Sequence, residues 1–429
     1  MKTVFLLAVR NTLRNSRRSA LTAATVFFGC ALLTIGLSWV VGIQGNFIAA
    51  SVRANGHVRL VTQAHADREA LQPIYENISQ TDSLVTEIEA MDDVQAAFPR
   101  IQMGVMASVD GEEVGEVFGQ IVGAPITYFD TVLSLEEKLI DGRFFSVGQA
   151  AQNEGLIGRS LARDMGVKAG EEAIFLGQTQ DGSISPIRVT VVGVVDTGTG
   201  LFDKQVFVPL SKAQWMADIP EGAVEILIYG SNRRSSTRII SQLTPRLEAM
   251  AQRVNLIDIE GESTGLSISS WNTREPFASM LRIARIIMTT VAIIIVFITA
   301  LGVLNTMLMS VLERTAEIGV LRSMGMKVGQ VVFMFALEAI FIATIGGAMG
   351  VIVGSLGSIA MEASGVDLGS AVSNLPDTVP ANRVLHPDWS PALSLIAFAL
   401  GVVMAFIGSA SPALRAARIQ PVIAMRTRR

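Results

Sequence analysis

The stretch "LERTAEIGVLRSMGMKVGQ", residues 312–330, carries two acids (Glu313, Glu317) and three bases (Arg314, Arg322, Lys327) between two long apolar runs. On its N-terminal side no Asp, Glu, Lys or Arg occurs from Ile286 to Leu312, and on its C-terminal side only Glu338 interrupts Val328–Met361. Two further charge-free runs extend from Ser19 to Val52 and from Trp389 to Leu414. Each exceeds the roughly 20 residues that a helix needs to cross a hydrocarbon core. The pattern predicts four membrane helices, at about 21–43, 284–311, 330–356 and 391–413. The first run is too long for the apolar core of a signal peptide, and "VVGIQGNFIAASV" makes a poor cleavage site, so an uncleaved helix is expected.

Basic residues near the span ends set the expected orientation. Residues 1–19 hold Lys2, Arg10, Arg14, Arg17 and Arg18 with no acid, and they read as an amphipathic helix on the cytoplasmic face. The tail, 414–429, holds Arg415, Arg418, Arg426, Arg428 and Arg429, again with no acid. Both termini and residues 312–329 are therefore expected to face the cytoplasm. The loop 357–390 and a large domain face the other side.

That domain, residues 46–266, reads as α+β with two subdomains, inserted between the first span (20–45) and the second (267–311, including a stalk helix). "TDSLVTEIEAMDD" places Leu84, Ile88 and Met91 on one helical face. Hairpins are expected at Asp110-Gly111 and Asp181-Gly182. "GRSLARDMGVKAG" reads as a short helix stopped by Gly166. "AVEILIYG", the helical "STRIISQLTPRLEAMAQRV" and "NLIDIE" form a βαβ-like unit, with Pro245 splitting its helix. Residues 46–282 carry 19 basic and 31 acidic side chains, a net charge of −12, which disfavours nucleic acid or an anionic lipid surface as partner.

Several chemistries are absent from the sequence. It contains no G-x-x-x-x-G-K-[ST] phosphate loop, no H-E-x-x-H and no G-x-S-x-G elbow. Its three histidines, His57, His65 and His386, are too scattered for a metal cluster. The single cysteine, Cys30, lies in the first span, so the external domain is expected to fold without disulfides. No cofactor, metal or catalytic residue is expected in this chain. Glu338 stands two turns inside the third span, where reaching back toward the headgroups or capping a helix is at least as good a reading as a functional role. In the same span Gly346, Gly350 and Gly354 recur every four residues on one face, which suits close approach of another helix.

On a helix, Arg314, Ile318, Leu321 and Gly325 of the 312–330 stretch line one side, beside the acid–base pair of Glu317 and Arg314. Gly325 ends that helix. Ile318, Val320, Leu321, Met324 and Met326 are a large apolar load for a water-facing loop, and they call for a cover of headgroups or another protein. A solvated loop whose charges merely stop the spans is the alternative.

"ERTAEIGVLRSMGMKVGQVVFMFALEAI" resembles the signature of the FtsX-like permeases, membrane subunits of ABC transporters that include macrolide exporters and lipoprotein-releasing permeases. The block R-x-x-E-I-G-x-L-R-A-x-G falls on Arg314, Glu317, Ile318, Gly319, Leu321, Arg322 and Gly325, with Ser323 as a departure, followed by Leu337-Glu338-Ala339. The closing "PALRAARIQPVIAMR", with Arg415, Arg418 and Pro421, and the opening "AVRNTLRNSRRSALT" are similar to the family's two ends. The resemblance implies a type VII ABC architecture: a dimer with a second copy or a paralogue, above two copies of a separate ATPase that bind ATP and Mg. Residues 312–329 would be the coupling helix in a cleft of that ATPase, its interface running over Glu313, Arg314, Glu317, Ile318, Leu321, Arg322, Met324 and Gly325, with Ile318, Leu321 and Met324 as anchors and Glu317 and Arg322 fixing orientation. The implied work is extrusion of a hydrophobic cargo such as a lipoprotein, lipid or amphipathic drug. Mechanotransmission to an external enzyme, adaptor or carrier is the alternative, and a membrane receptor the weaker one. The hairpin in "FLGQTQDGSISPIRVTVV" is shorter than the carrier-catching hook of lipoprotein-releasing permeases. The chain begins within twenty residues of its first span, so the ATPase is expected on a separate subunit.

Overall fold

The computed structural model describes residues 16–71, 73–109, 117–197, 203–231, 235–254, 265–273, 277–313, 315–367 and 384–417. The chain divides into two compact units, one built from the apolar helices and one from Phe47–Met280.

Among the described residues four helices are long and apolar enough to cross a membrane. They are α1 (Ser16–Asn55), α9 (Phe277–Glu313), α11 (Val328–Ser364) and α12 (Pro391–Ala417). The first, third and fourth pack closely because small residues stand where they meet. On α11, a Cβ at Gly346 or Gly350 would run into the backbone of Ala23 or Phe27 on α1, and one at Gly354 would lie 2.9 Å from the Ala31 carbonyl oxygen. Cys30 is fully buried beside Gly347 of α11 and Gly401 of α12, so it fills a gap among three helices. Val26, Cys30, Ala339, Ile342, Ala343 and Ala405 form the core there. Glu338 departs from expectation: only 3 % exposed, it is enclosed by the helices instead of reaching outward.

Beyond α11 the chain is tied by polar contacts. Strands β11 (Val366–Asp367) and β12 (Val384–Leu385) pair, and Trp389 donates its backbone N–H to Glu362 Oε2 at 3.2 Å and its indole N–H to Ser394 Oγ at 2.9 Å. The Asp388 N–H bonds the Ser38 carbonyl of α1 at 3.0 Å.

The second unit contains β1 (Val58–Thr62), α2 (Gln63–Asp67), α3 (Thr81–Glu89), β2 (Val94–Val109), β3 (Val117–Ala124) and α4 (Ile126–Thr131). It continues through β4 (Leu139–Gly142), β5 (Glu154–Gly158), α5 (Arg159–Met165), β6 (Glu172–Gln178), β7 (Ile184–Val195) and β8 (Gln205–Pro209). It ends with α6 (Leu210–Ala217), β9 (Glu225–Gly230), α7 (Ser235–Leu243), α8 (Leu247–Arg253) and β10 (Leu266–Ser270). The strands form one mixed sheet in the order β10-β1-β9-β2-β3-β8-β5-β7-β4, with β6 joining β2 and β7.

Strand β2 creates the two-part character. Its first half pairs with β9 and its second half with β3 and β6, so a single 16-residue strand serves both parts. One core gathers Val58, Leu60, Leu84, Ile88, Ile226 and Ile239 under α3 and α7. Another gathers Ile101, Ile121, Phe175, Val189, Val206 and Met216 under α5 and α6. The aromatic cluster of Tyr128, Phe129, Phe207 and Tyr229 lies on the opposite face of the sheet.

Local chemistry accounts for several boundaries. Gly166 closes α5 in the left-handed region at φ +72°, with Val167 N–H bonded to Ala162 O. Pro245 lies in a tight turn, Thr244–Arg246, that separates α7 from α8. The hairpin β6–β7 turns at Asp181-Gly182; the turn at Asp110-Gly111 and "NLIDIE" lie outside the described residues.

Two differences from expectation concern the ends of the domain. The α1 helix runs on to Asn55, ten residues past the 20–45 reading. Residues 266–270 are a strand rather than the start of a stalk helix, because Leu266 and Ile268 alternate with serines and find partners across β1. The second long helix begins only at Phe277.

Candidate coupling and transmission site

Between α9 and α11 the chain forms the short helix α10 (Thr315–Ser323). Gly325, at φ +94°, stops it in a conformation that a Cβ would strain, and the Met324 and Gly325 N–H groups return to Val320 O and Arg322 O. The Lys327 N–H then donates to Gln330 Oε1 at 2.9 Å and opens α11.

The two faces of α10 differ. Ile318 is 2 % exposed and packs on Val331, Met334 and Phe335 in the first turns of α11, with Met326 beside it. Burying an isoleucine contributes about 1.5–3 kcal/mol, so this contact fixes α10 to the helix that follows. Val320 and Met324, by contrast, are 47 % and 80 % exposed. The helix also touches α12.

This arrangement corrects the expected roles. Ile318, expected as an anchor, is buried against its own chain, whereas Val320 stands on the open side beside Met324. Arg322 is half-buried, and its Nη1 donates to the Met326 carbonyl at 3.4 Å, closing the turn. Glu313 is the last residue of α9. Arg314, and the side chains of Glu313, Glu317 and Leu321, lie outside the described residues, as do the Arg415 side chain, Arg418 and Pro421. Gly346, Gly350 and Gly354 all face α1 of the same chain. Among the described residues no group of His, Cys, Asp and Glu could hold a metal ion.

A second polar constellation was missed in the sequence. Arg59 on β1, Arg100 on β2 and Glu225 on β9 share one face of three adjacent strands, and all three are at least 95 % buried. Glu225 Oε1 lies 2.7 Å from Arg100 Nε, and its Oε2 lies 2.5 Å from Arg59 Nε. Arg59 also meets Glu69 Oε1 at 2.5 Å and His65 Nε2 at 2.9 Å. Burial works against the charge on Arg100, yet the Glu225 carboxylate outweighs it and holds the guanidinium firmly protonated. The available signal was a single charge within each of three otherwise apolar strand stretches, "VRLV", "FPRI" and "VEILIYG".

Comparison with known proteins agrees with this architecture. Residues 19–253 match the MacB-like periplasmic core domain, and residues 289–421 match the FtsX-like permease C-terminal domain. The macrolide export ATP-binding/permease protein MacB of Escherichia coli O157:H7 is 22% identical over 432 residues, covering 98% of this chain and 60% of that protein. MacB of Sodalis glossinidius is 28% identical over 327 residues, 74% of this chain and 44% of its own length. The chain thus spans about half the length of these curated relatives. The uncharacterized ABC transporter permease YknZ of Bacillus subtilis is 24% identical over 302 residues, 67% of this chain and 66% of YknZ. The crystal structure of the periplasmic region of MacB from Actinobacillus actinomycetemcomitans aligns at a TM-score of 0.35 and 15% identity, over 52% of this chain and 92% of that one. With both domain types matched in order, and the first spanning more than half of the chain, this protein belongs to the FtsX-like permeases of type VII ABC architecture, four-helix membrane proteins with a large MacB-like periplasmic core domain.

Proposed function

We propose that this chain is the permease subunit of an ABC transporter in which a separate ATPase pair docks at α10 and drives the periplasmic core domain. The observation that carries the reading is the division of α10. One face is fastened to α11 through Ile318, and the other holds Val320 and Met324 open. A helix so mounted passes a push directly into α11, and through the glycine face of α11 into α1. The sequence offers no phosphate loop, so the nucleotide chemistry falls to the partner.

The assembly is read as a dimer with both termini in the cytoplasm. In support, α9 leaves Ile283, Ile286, Val291, Ile294 and Phe297 exposed around much of its surface and meets α1 at Gly302 and Ile295, which leaves room for a second copy or for lipid. The cargo is read as a hydrophobic one, such as an amphipathic drug, lipid or lipoprotein; the macrolide export protein MacB, a relative, supports the first of these. Mechanotransmission without cargo is the second reading, favoured by the unbroken helix from Ser16 to Asn55 that ends in the core domain.

The test is a double substitution, Val320→Asp with Met324→Asp, in the membrane of a cell that expresses the cognate ATPase. The variant is expected to insert and fold like the parent and to lose the copurifying ATPase. Full retention of the ATPase would remove α10 as the docking element. Ile318→Asp should behave differently, lowering thermal stability because it unseats α10 from α11.

A further inference from the structure

We infer that Tyr128, Tyr229 and Arg100, braced by Glu225 and Arg59, form a rigid joint that locks the last turn of α1 to the core-domain sheet. This deepens the permease reading and rests on it for its purpose, though its geometry stands alone. The final carbonyls of a helix have no partner within the helix, and the negative end of the helix dipole gathers there. In α1 these carbonyls are not left to water. Arg53 O accepts from Tyr229 OH at 2.7 Å and from Tyr128 OH at 3.4 Å. Ala54 O accepts from Arg100 Nη1 and from Tyr128 OH at 3.4 Å.

The donors come from three elements. Arg100 stands on β2, Tyr229 on β9 and Tyr128 on α4. Behind them, Glu225 lies directly across from Arg100 in the β2–β9 register, and it is the counter-ion of both arginines. Arg59 adds Glu69, so two cations face two anions. Tyr128 and Tyr229 are 1 % and 7 % exposed, and burial holds both phenols above their ordinary titration range, in the donating form.

Such a cluster is a poor device for stability alone. Desolvating the ions offsets much of their attraction, and apolar residues of similar volume commonly stabilise as well or better. What directional bonds supply is a fixed orientation. An apolar contact lets a helix end swivel, whereas two carbonyls held by three side chains resist rotation and sliding. The link onward is equally short. His57 N–H bonds Ile228 O at 2.9 Å, and β1 begins at Val58. The returning strand β10 pairs with β1, Val58 opposite Ser270, and Trp271 N–H bonds His57 O. The outgoing and returning chains therefore sit on adjacent strands of one braced sheet.

Hydrogen-exchange mass spectrometry on the full chain in detergent micelles tests the joint without any ATPase, so its failure would leave the ABC reading untouched. Two variants are compared with the parent: Tyr229→Phe, which deletes one donor, and Arg100→Met with Glu225→Met, which removes one charge of each sign. The joint predicts that exchange in peptides covering Phe47–His57 accelerates at least tenfold in Tyr229→Phe, and further in the double variant. Peptides from β5 and β8 should stay as in the parent. Unchanged protection of Phe47–His57 in Tyr229→Phe, or an equal rise across the whole domain, would overturn it. If the double variant fails to fold, Tyr229→Phe alone decides.

Discussion

At the scale of single residues, His65 shows how the buried cluster constrains protonation. Arg59 Nη2 can only donate, so His65 Nε2, 2.9 Å away, accepts, and Nδ1 carries the proton toward Pro73 O at 3.1 Å. Burial first, and then the Arg59 charge, lower the His65 pKa below its ordinary 6.5. His57 is lowered by burial as well, and its Nδ1 accepts from Gly230 N–H. A group neutral in the fold but protonatable when unfolded contributes stability above the unfolded pKa. That stability declines as pH falls below about 6.5 and is lost by the folded pKa. Urea unfolding of the chain in detergent, followed by tryptophan fluorescence, should therefore show stability falling as pH drops below 6.5. His65→Gln should flatten the slope, with His57 supplying the remainder; an unchanged slope would count against this account. The arginines and Glu225 were visible in the sequence as letters, but nothing in a strand's alternation says that three charges from positions 59, 100 and 225 will meet on one face.

At the scale of elements, the glycine spacing on α11 and the helical nature of residues 315–323 were legible, since period and small-residue rows are local properties. The helix that meets the glycine face was not legible; the fold places α1 there. Gly350→Val puts a branched side chain against the Phe27 carbonyl, with backbone rather than a flexible side chain in the way. It should cost about 1–3 kcal/mol by overpacking, measured as lower thermal stability in detergent. Gly329, whose added Cβ meets nothing within 4 Å, is the control position, although its helix-propensity change is not zero. Equal effects at both positions would show that helix contact at Gly350 is unimportant. The strand at 266–270 is too short to be told from the start of a helix by local pattern alone. Its period-2 alternation acquires meaning only from β1, more than two hundred residues earlier.

At the scale of the whole molecule, the chain divides into a bundle whose small residues face one another and a sheet domain whose sequence is net negative. Affinity purification of the tagged full chain in mild detergent, with native mass spectrometry, is expected to recover two permease and two ATPase copies. A bound lipid or lipoprotein in that assembly favours extrusion; an external adaptor or hydrolase without lipid favours mechanotransmission. Recovery of the chain without any ATPase would argue against the permease reading and reopen a receptor role.

Four apolar helices, their order, the inserted domain and the short helix before Gly325 followed from the sequence by itself. Hydrophobic run length, periodicity and left-handed turn chemistry act over a few to a few tens of residues. Tertiary structure alone decided that Ile318 is consumed within the chain while Val320 and Met324 remain open, and that the α11 glycines receive α1. It also decided that the end of α1 is held by Arg100, Tyr128 and Tyr229. The reason is the same in each case. Which side of an element is covered depends on a partner remote in sequence, and the energy of burial or of a buried ion pair exists only once that partner arrives.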